Sequence, residues 1–474
     1  MSDYDLILIG SGFASSFFLK KIKEKKAALR ILLLEKGQKF THQEELGYAA
    51  AAKQAPGYQL AETSLIQQNS DNHYFQFNQS FGGGSNCWLG CTPRFLPADF
   101  RLNSTYGIGK DWPISYEDLA PYYDEAESLM QISGPENTPW PKSGKYPLPP
   151  HGLTPFDRQL QEKYPDSVYA QATARASMPT AQRAKCCGSS VCSLCPLDAK
   201  FTIGNGMGEV FEGIDIMYGA EVYALELNND RVRKVFYRKN GQEKEASADL
   251  FALGTNPIFN SHILLNSGDS HPLLGKGIGE QRSVMVNIDL GFDNSGGSSI
   301  NSANMWMLYK GEQRKAAAAC LIESQNSAQM IRLEKGKLRH LALFKCIFED
   351  VYQEENHVRK SDNPFKAIVN YQGPSEYLRK GVERLKSKLD KIFEGLAVEK
   401  YQISPGLAST EAHIIGGHIM GNDPENSVLD EMQLHHQYRN LFVLGAGSFS
   451  SMSPANPTLT LAALSLRSAD KMKF

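Results

Sequence analysis

Four cysteines fall close together in the middle of this sequence. Cys186, Cys187, Cys192 and Cys195 follow the pattern CC-x4-C-x2-C, and Pro196 comes next. Thiolates grouped in this way suit soft metals, and a Cys-x2-Cys-Pro ending is common around iron–sulfur clusters. The chain has eight cysteines, and this clustering is unlike the even spacing of a disulfide framework. Three alternatives stay open: an iron–sulfur cluster, zinc or another metal, and packed free thiols or a disulfide.

A second pattern, near the N-terminus, could bind a dinucleotide. Gly10-Ser-Gly12 follows an apolar run of strand type, a helix can form from Ser15 to Lys26, and Arg30–Glu35 has the composition of a second buried strand. Glycines let the backbone approach a pyrophosphate, and the helix N-terminus attracts its charge. Glu35 is placed to bind both hydroxyls of an adenosine ribose.

This unit predicts a dinucleotide site, but it does not distinguish NAD from FAD. Its third small position is Ser15, where the usual fingerprint has Gly or Ala. An ordinary βαβ unit without a ligand is the alternative.

A glycine-rich loop from Phe81 to Arg94 could lie against a flat ligand. Glycine triplets allow close backbone contact. The alternative is a flexible surface loop, but such loops seldom carry large apolar residues like Trp88 and Leu89.

The elements that must position these residues predict two lobes. Strands of a dinucleotide fold come from residues 4–35, from near 250 and from near 441, whereas β-like runs within 283–351 suggest an antiparallel sheet. Residues 375–396 have the period of an amphipathic helix whose apolar stripe packs in a core. The fold class is therefore α/β, a Rossmann-like cofactor domain with a second α+β domain built on an antiparallel sheet. A ligand site between the lobes is expected.

Composition excludes other classes of function. The net charge of −2 comes from 50 basic and 52 acidic residues, so the chain lacks the excess of basic residues that is typical of nucleic-acid-binding proteins. No apolar run reaches the ~18 residues of a membrane helix. The N-terminal apolar run belongs to the first strand, so we expect no signal peptide.

Several motifs, taken together, resemble the glucose–methanol–choline (GMC) family of FAD oxidoreductases over essentially the full length. The tail 455–460 is most similar to the sugar-oxidising branch, which includes pyranose oxidases and bacterial sugar dehydrogenases. The motifs that carry the resemblance are the N-terminal unit, Gly82–Trp88, Asp111-Trp-Pro113, Ala252–Pro257 with Leu264–Gly268, His413–Gly421, Ser427–Asp430, Asn440–Ser448 and Ala455–Thr460.

The resemblance implies that the dinucleotide is FAD. It implies a discontinuous FAD-binding domain of residues 1–100, 200–280 and 405–474, and a substrate domain of 101–199 and 281–404 that includes the cysteine motif 186–195. Cys87 stands where some pyranose oxidases have a histidine bonded to the flavin, so a histidyl bond is excluded, and a packed cysteine is favoured over a cysteinyl bond. The implied cofactor-binding residues are Gly10, Gly12, Ser15, Glu35, Gly83, Gly84, Ser85, Asn86, Cys87, Gly254, Gly445, Ala446, Asn456, Pro457 and Thr458.

The resemblance also implies the catalytic pair His413 and Asn456. Alcohol oxidation by a flavin needs a base for the hydroxyl proton and a polar partner that orients the hydroxyl for hydride transfer to the flavin N5. Without the resemblance, His413 would be interpreted as a core histidine. His418, in the same motif, is interpreted as structural or flavin-adjacent.

Several sugar dehydrogenases of this family carry a three-iron cluster near this position. Their pattern resembles CC-G-x3-C-x3-C-P, and the last gap here is one residue shorter. The resemblance favours a [3Fe-4S] cluster held by Cys186, Cys192 and Cys195, with Cys187 as a fourth candidate ligand.

The sequence thus predicts an FAD-dependent dehydrogenase that oxidises a hydroxyl of a sugar, sugar derivative or polyol. Its partners would be a small subunit and a cytochrome acceptor, and its location cytoplasmic, or periplasmic by co-export with a partner. The alternatives are an oxidase of the same fold that uses O2, a non-catalytic flavin-binding subunit, and an NAD-dependent dehydrogenase.

Overall fold

A computed structural model describes residues 2–50, 65–69, 72–189, 191–326 and 338–473. It has strands and helices of mixed order, as an α/β fold requires. The strands are β1 Tyr4–Ile9, β2 Ile31–Glu35, β3 Leu65–Asn69, β4 Val168–Ala170, β5 Asp215–Tyr218, β6 Glu221–Asn228, β7 Arg231–Lys239, β8 Gln242–Leu253, β9 Arg282–Leu290, β10 Asn301–Met305, β11 Cys320–Gln325, β12 Leu341–Phe348, β13 His357–Arg359, β14 Ala367–Tyr371, β15 Val398–Ile403 and β16 Leu441–Val443.

The helices are interspersed among these strands along the chain. Short 3-10 turns at Gly83–Asn86, Pro97–Arg101, Gly208–Phe211, Glu312–Lys315 and Ala446–Ser448 add to them. The α-helices are α1 Phe13–Lys25, α2 His42–Ala50, α3 Leu102–Tyr106, α4 Tyr116–Leu129, α5 Pro155–Lys163, α6 Ile203–Gly206, α7 Pro257–Asn266, α8 Glu376–Phe393 and α9 Thr458–Lys471.

The first sheet confirms the predicted dinucleotide fold. Its order is β5-β2-β1-β8-β7-β6, and β16 pairs with β8. β1 runs parallel to β2 and β8, and β16 runs parallel to β8. Strands separated by hundreds of residues therefore end at one edge, where open α/β sheets bind ligands.

One strand is longer than the sequence predicts. The strand predicted near residue 250 is the end of a strand of 12 residues, β8. Its first half pairs antiparallel with β7, and its second half continues into the parallel core beside β1. The side-chain pattern changes from exposed to buried along it, as expected for a strand that leaves a hairpin and enters a parallel core.

The second sheet is antiparallel, in the order β15-β9-β12-β11-β10-β4. One of its faces packs against α8, whose stripe Leu378, Leu385 and Leu389 is buried as predicted. Because side chains alternate along a strand, the opposite face is free to line a site. A third, small sheet is formed by β13, β14 and β3.

The helix α4 begins at a capping box. The Ser115 side chain accepts from the Asp118 N–H, and the Asp118 carboxylate accepts from the Ser115 backbone. The helix packs into the hydrophobic core around the first sheet, and its Tyr123 hydroxyl lies 2.8 Å from the Thr460 hydroxyl of α9. Helices α4 and α9 thus brace the cofactor domain, although α4 falls within the predicted range of the substrate domain, whose exact bounds stay a prediction.

In the part of the chain that the structure describes, no helix has the length and apolar composition needed to cross a membrane.

Candidate active site

A cavity of about 640 Å³ lies where the strand ends of the first sheet meet the second sheet. This volume is within the range of small-molecule and cofactor sites. His413 lines it, together with eleven of the predicted cofactor-binding residues. These are Gly10, Gly12, Glu35, Gly83, Gly84, Cys87, Gly254, Gly445, Ala446, Asn456 and Thr458.

The other predicted cofactor residues brace this lining. Ser15 is buried against Gly254, where an added Cβ would come within 2.0 Å of the Ser15 hydroxyl. Ser85 donates to the Gly82 carbonyl, and Asn86 donates to the Phe81 carbonyl, so both shape the glycine loop. Pro457 begins α9. The serine in the fingerprint thus serves the close packing of helix on strand.

Two glycine-containing segments lie close together at the cavity and leave room for a ligand. A Cβ added at Gly83 would lie 3.5 Å from the Gly12 Cα, whereas a Cβ at Gly12 or Gly84 would meet no atom within 4 Å. Gly10 has a φ of +87°, and a Cβ there would lie 2.8 Å from the Gly254 carbonyl oxygen. Glycine is therefore required at position 10 because of the backbone conformation and the close contact there. At position 12, glycine leaves space for a ligand.

The carboxylate of Glu35 is fixed at the wall of this cavity. The Ser11 N–H and hydroxyl donate to its Oε2 at 3.0 and 2.6 Å, and the Gly37 N–H donates to its Oε1 at 2.7 Å. Burial raises the pKa of Glu35, while these donors oppose the rise. Each carboxylate oxygen can accept more than one hydrogen bond, so ribose hydroxyls can be added to this set.

Two helices present their N-termini to the cavity. α1 begins after Gly12 and α9 after Pro457, and neither has a side-chain cap. Their first N–H groups therefore stay available to acceptor atoms of a ligand, with the favourable end of each helix dipole. Glycine backbone, carboxylate and helix ends together fit a dinucleotide.

His413 lies at the part of the cavity that faces the second sheet. Its Nδ1 is 2.7 Å from the Gln281 Oε1, and the Gln281 amide nitrogen donates to the carbonyls of Ser453 and, at 2.7 Å, Ala455. Asn456 is the next residue. Gln281 thus joins the loop of His413 to the loop of Asn456, which the sequence separates by 43 residues.

A buried carboxylate holds the loop that carries His413. Glu280 accepts hydrogen bonds from the N–H groups of Glu411 at 3.1 Å and His413 at 3.3 Å, and from the Thr410 hydroxyl. His73 lies 3.0 Å from the same carboxylate. These bonds fix the backbone on both sides of Ala412, whose φ is +57°.

The state of the two predicted catalytic side chains suits proton transfer. Burial lowers the pKa of His413, so its ring is neutral and can accept a proton near neutral pH. The Oδ1 of Asn456 is buried and has no hydrogen-bond partner in the described part of the chain. A buried amide oxygen left without a partner is costly, and a polar ligand would satisfy it.

His418 has a different environment. It is fully buried, and a Cβ added at Gly447 would come within 2.0 Å of its ring. Burial lowers its pKa to about 3. This packing agrees with a structural role.

The cysteine motif lies beside the glycine loop. The buried ammonium of Lys200 donates to the carbonyls of Asn86 and Trp88 on one side and to that of Cys192 on the other, at 2.8–3.0 Å. Burial lowers the pKa of Lys200 to about 8. The Trp88 ring also packs edge-on against Phe13, so this loop is part of the core.

The thiols themselves are not assembled as ligands. Within the described ranges, no group of three or more His, Cys, Asp or Glu side chains could hold a metal ion, and the four thiols of the motif are free. Cys192 is buried, which raises its pKa, and Cys187 is exposed. The arrangement does not fit the predicted cluster as it stands, and the cluster stays a prediction.

Sequence reasoning missed five polar residues of the site, including Glu280 described above. Gln281 carries no motif, and its role depends on contacts with two distant loops. Glu323 in β11, Lys345 in β12 and Glu411 line the cavity. The sequence did contain a signal for Glu323 and Lys345, because a charged residue within an otherwise apolar strand is unusual unless it has a partner.

Comparison with known proteins relates the chain to one family. The GMC oxidoreductase family profile matches residues 375–465. The chain is 28% identical to the fructose dehydrogenase large subunit of Gluconobacter japonicus over 98% of this chain and 97% of that protein. It is 25% identical to paromamine 6'-oxidase of Streptomyces fradiae over 98% and 90% of the two chains.

Solved structures agree on the fold. Pyridoxine 4-oxidase from Mesorbium loti superposes with a TM-score of 0.69 at 14% identity, over 98% of each chain. Residues 375–465 therefore match the GMC oxidoreductase family, and the chain as a whole is similar to oxidoreductases that act on alcohols and sugars.

Proposed function

We propose that this protein is an FAD-dependent dehydrogenase that oxidises a hydroxyl of a sugar, sugar derivative or polyol. The observation that carries the proposal is that His413 and Asn456 line the same cavity, with Gln281 bonded to His413 and to the carbonyl of Ala455, the residue before Asn456. FAD is the cofactor of this family. Gly10, Gly12, Gly84 and the N-terminus of α1 would hold its pyrophosphate, and Glu35 its ribose.

When bound, FAD supplies the acceptor for the hydride that leaves the substrate carbon. His413 takes the hydroxyl proton on its Nε2, because its Nδ1 is engaged by Gln281. Asn456 binds the same hydroxyl and orients its carbon. The loop held by Glu280 keeps the imidazole in place during turnover.

The names of the relatives support the substrate class. Fructose dehydrogenase, paromamine 6'-oxidase and 2-methyl-1,2-propanediol dehydrogenase all have names that denote oxidation of a hydroxylated compound. The test is a panel of sugars and polyols supplied anaerobically to the FAD-loaded enzyme with an artificial electron acceptor. Reduction of the acceptor by a panel member supports the proposal, and a bound yellow flavin that no member bleaches contradicts it.

Dehydrogenase and oxidase are separated by one further measurement. A dehydrogenase forms little hydrogen peroxide in air with a substrate that reduces the artificial acceptor. Peroxide formed at the same rate as acceptor reduction would establish the oxidase alternative.

The iron–sulfur cluster is a separate proposal, supported by the spacing of Cys186, Cys192 and Cys195 alone. It comes with a redox partner, for which the name of the Gluconobacter relative, a large subunit, offers a precedent. Iron and acid-labile sulfide analysis on anaerobically purified protein tests it. About three irons per chain, with a low-temperature EPR signal after oxidation, are expected for a three-iron cluster, and protein without iron refutes it.

A further inference from the structure

The second sheet turns a set of charged side chains toward the cavity. Glu323 on β11 and Lys345 on β12 are paired directly across the two strands and point away from the face that packs on α8. Glu411, from the loop of His413, adjoins them. We call these three residues the charged wall, and all three line the cavity.

The charged wall is ordered by its own contacts. Lys345 forms an ion pair with Glu411, whose side chain is 1% exposed, and Glu411 also accepts from the Ser283 hydroxyl. Burial alone would lower the pKa of Lys345, but the carboxylates of Glu411 and Glu323 raise it above its ordinary value. Lys345 therefore stays an ammonium donor.

Glu323 retains free capacity. Its Oε1 accepts from the Gln171 amide at 3.1 Å, and no donor among the described residues reaches its Oε2. The Glu323 residue is only 2% exposed to solvent. Burying a carboxylate with an unused oxygen costs free energy, which a ligand hydroxyl donating to that oxygen would offset.

The position of the charged wall fixes what it can touch. Glu411 is two residues before His413, so the wall begins beside the base and extends through Lys345 to Glu323. A substrate whose reacting hydroxyl meets His413 would place its neighbouring carbons along this wall. Carboxylates accept from hydroxyls and an ammonium donates to them, so hydroxyls on these carbons suit both kinds of group.

The balance of charge decides between classes of polyol. Two carboxylates face one ammonium, which disfavours an anionic substrate. The ammonium of Lys345, which pairs with Glu411 and lies opposite Glu323, in turn disfavours a cationic group at the same place. A neutral substrate is the one that this wall does not penalise.

Resting on the function proposed above, we infer that Glu323, Lys345 and Glu411 bind the unreactive hydroxyls of the substrate, so that the enzyme selects neutral polyhydroxylated compounds over sugar acids, amino sugars and monohydric alcohols. They are specificity residues, and the chemistry stays with His413 and Asn456.

The test compares kcat/KM of the FAD-loaded enzyme for sorbitol, gluconate, glucosamine and cyclohexanol, with an artificial electron acceptor. If another neutral polyol or hexose of the panel is the better donor, it replaces sorbitol. We expect the neutral donor to exceed each of the other three by at least about tenfold. Gluconate or glucosamine equal to the neutral donor would overturn the inference.

Two variants attribute the selectivity to the wall, Glu323→Gln and Lys345→Met. In each, the ratio of kcat/KM for the neutral donor to that for cyclohexanol should fall at least about tenfold, mainly through KM. Lys400→Met is the matched control, because Lys400 lies on β15 of the same sheet and pairs with Asp289 at the surface. Its ratio should stay at the wild-type value.

The outcomes separate this inference from the proposed function. An equal loss for both donors in Glu323→Gln would mean that the wall only supports packing, while the proposed function stands. A wild-type enzyme whose flavin no panel member reduces would contradict the proposed function, and the inference would fail with it.

Discussion

The Nδ1 of His413 lies 2.7 Å from the Oε1 of Gln281, which fixes the tautomer of the imidazole. The orientation of the Gln281 amide follows from its other end, where its nitrogen faces two backbone carbonyls that can only accept. The oxygen must then face His413, so Nδ1 carries the proton. Nε2 is left as the free base, and the protein sets this state before any substrate binds.

Gln281→Leu should remove this control at nearly constant side-chain volume. The imidazole can then rotate or change tautomer, so we expect kcat to fall by roughly 10- to 100-fold. The measurement is the rate of flavin reduction in anaerobic stopped flow, with bound FAD quantified by absorbance. A variant with normal FAD content and a wild-type rate would show that Gln281 has no positioning role.

Gln281→Glu tests the same contact through pH. A carboxylate beside Nδ1 stabilises the imidazolium, so the pKa of His413 should rise and activity should be lost at a higher pH than in the wild type. The acid limb of kcat/KM reports this change. An acid limb that stays at its wild-type position would contradict the contact, even if the variant turns over more slowly.

The wild-type pH profile has its own expected form. Burial lowers the pKa of His413, so the base stays neutral below the ordinary histidine value of about 6.5. Activity should therefore be retained at pH 6.5 and lost only as pH falls through the lowered pKa. A midpoint at or above 6.5 in kcat/KM for a substrate that does not ionise would contradict the buried, neutral base.

Substitutions at two glycines of the first turn should have different effects, one on FAD binding and the other on stability. Gly12→Val places its side chain in open cavity space, so the variant should fold but bind little FAD. Gly10→Ala places a Cβ 2.8 Å from the Gly254 carbonyl at a φ of +87°, so it should lose stability, by about 1–2 kcal/mol from the left-handed backbone alone.

FAD content per chain and the thermal unfolding midpoint of the apoprotein separate these two effects. Gly47→Ala, within α2, is the control because a Cβ there meets no atom within 4 Å and the residue does not line the cavity. If Gly12→Val binds FAD normally, the cofactor does not contact this turn, which would contradict the assignment.

Much of the fold could be predicted because its signals are local. The first strand, helix and strand follow from an apolar run, a glycine turn and a second apolar run. Helix α8 was predicted from the period of its apolar stripe, and its N-cap Ser375 accepts from the Leu378 N–H. Each of these features depends on residues within one or two turns of each other.

The site was only partly predictable because it is assembled from distant segments. The resemblance supplied His413 and Asn456, and the structure places both at the cavity. Gln281 and Glu280 could not be found, since their roles depend on loops more than 100 residues away. The pairing of Glu323 with Lys345 likewise depends on strand register, which no single strand reveals.

The central claim is that His413 is the base for oxidation of the substrate hydroxyl in an FAD-loaded enzyme. The most direct measurement is the single-turnover rate of flavin reduction by a neutral polyol without oxygen, in the wild type and in His413→Ala. We predict a loss of at least about 100-fold in the variant with FAD still bound at the wild-type ratio. Reduction at a near wild-type rate in His413→Ala would contradict the account.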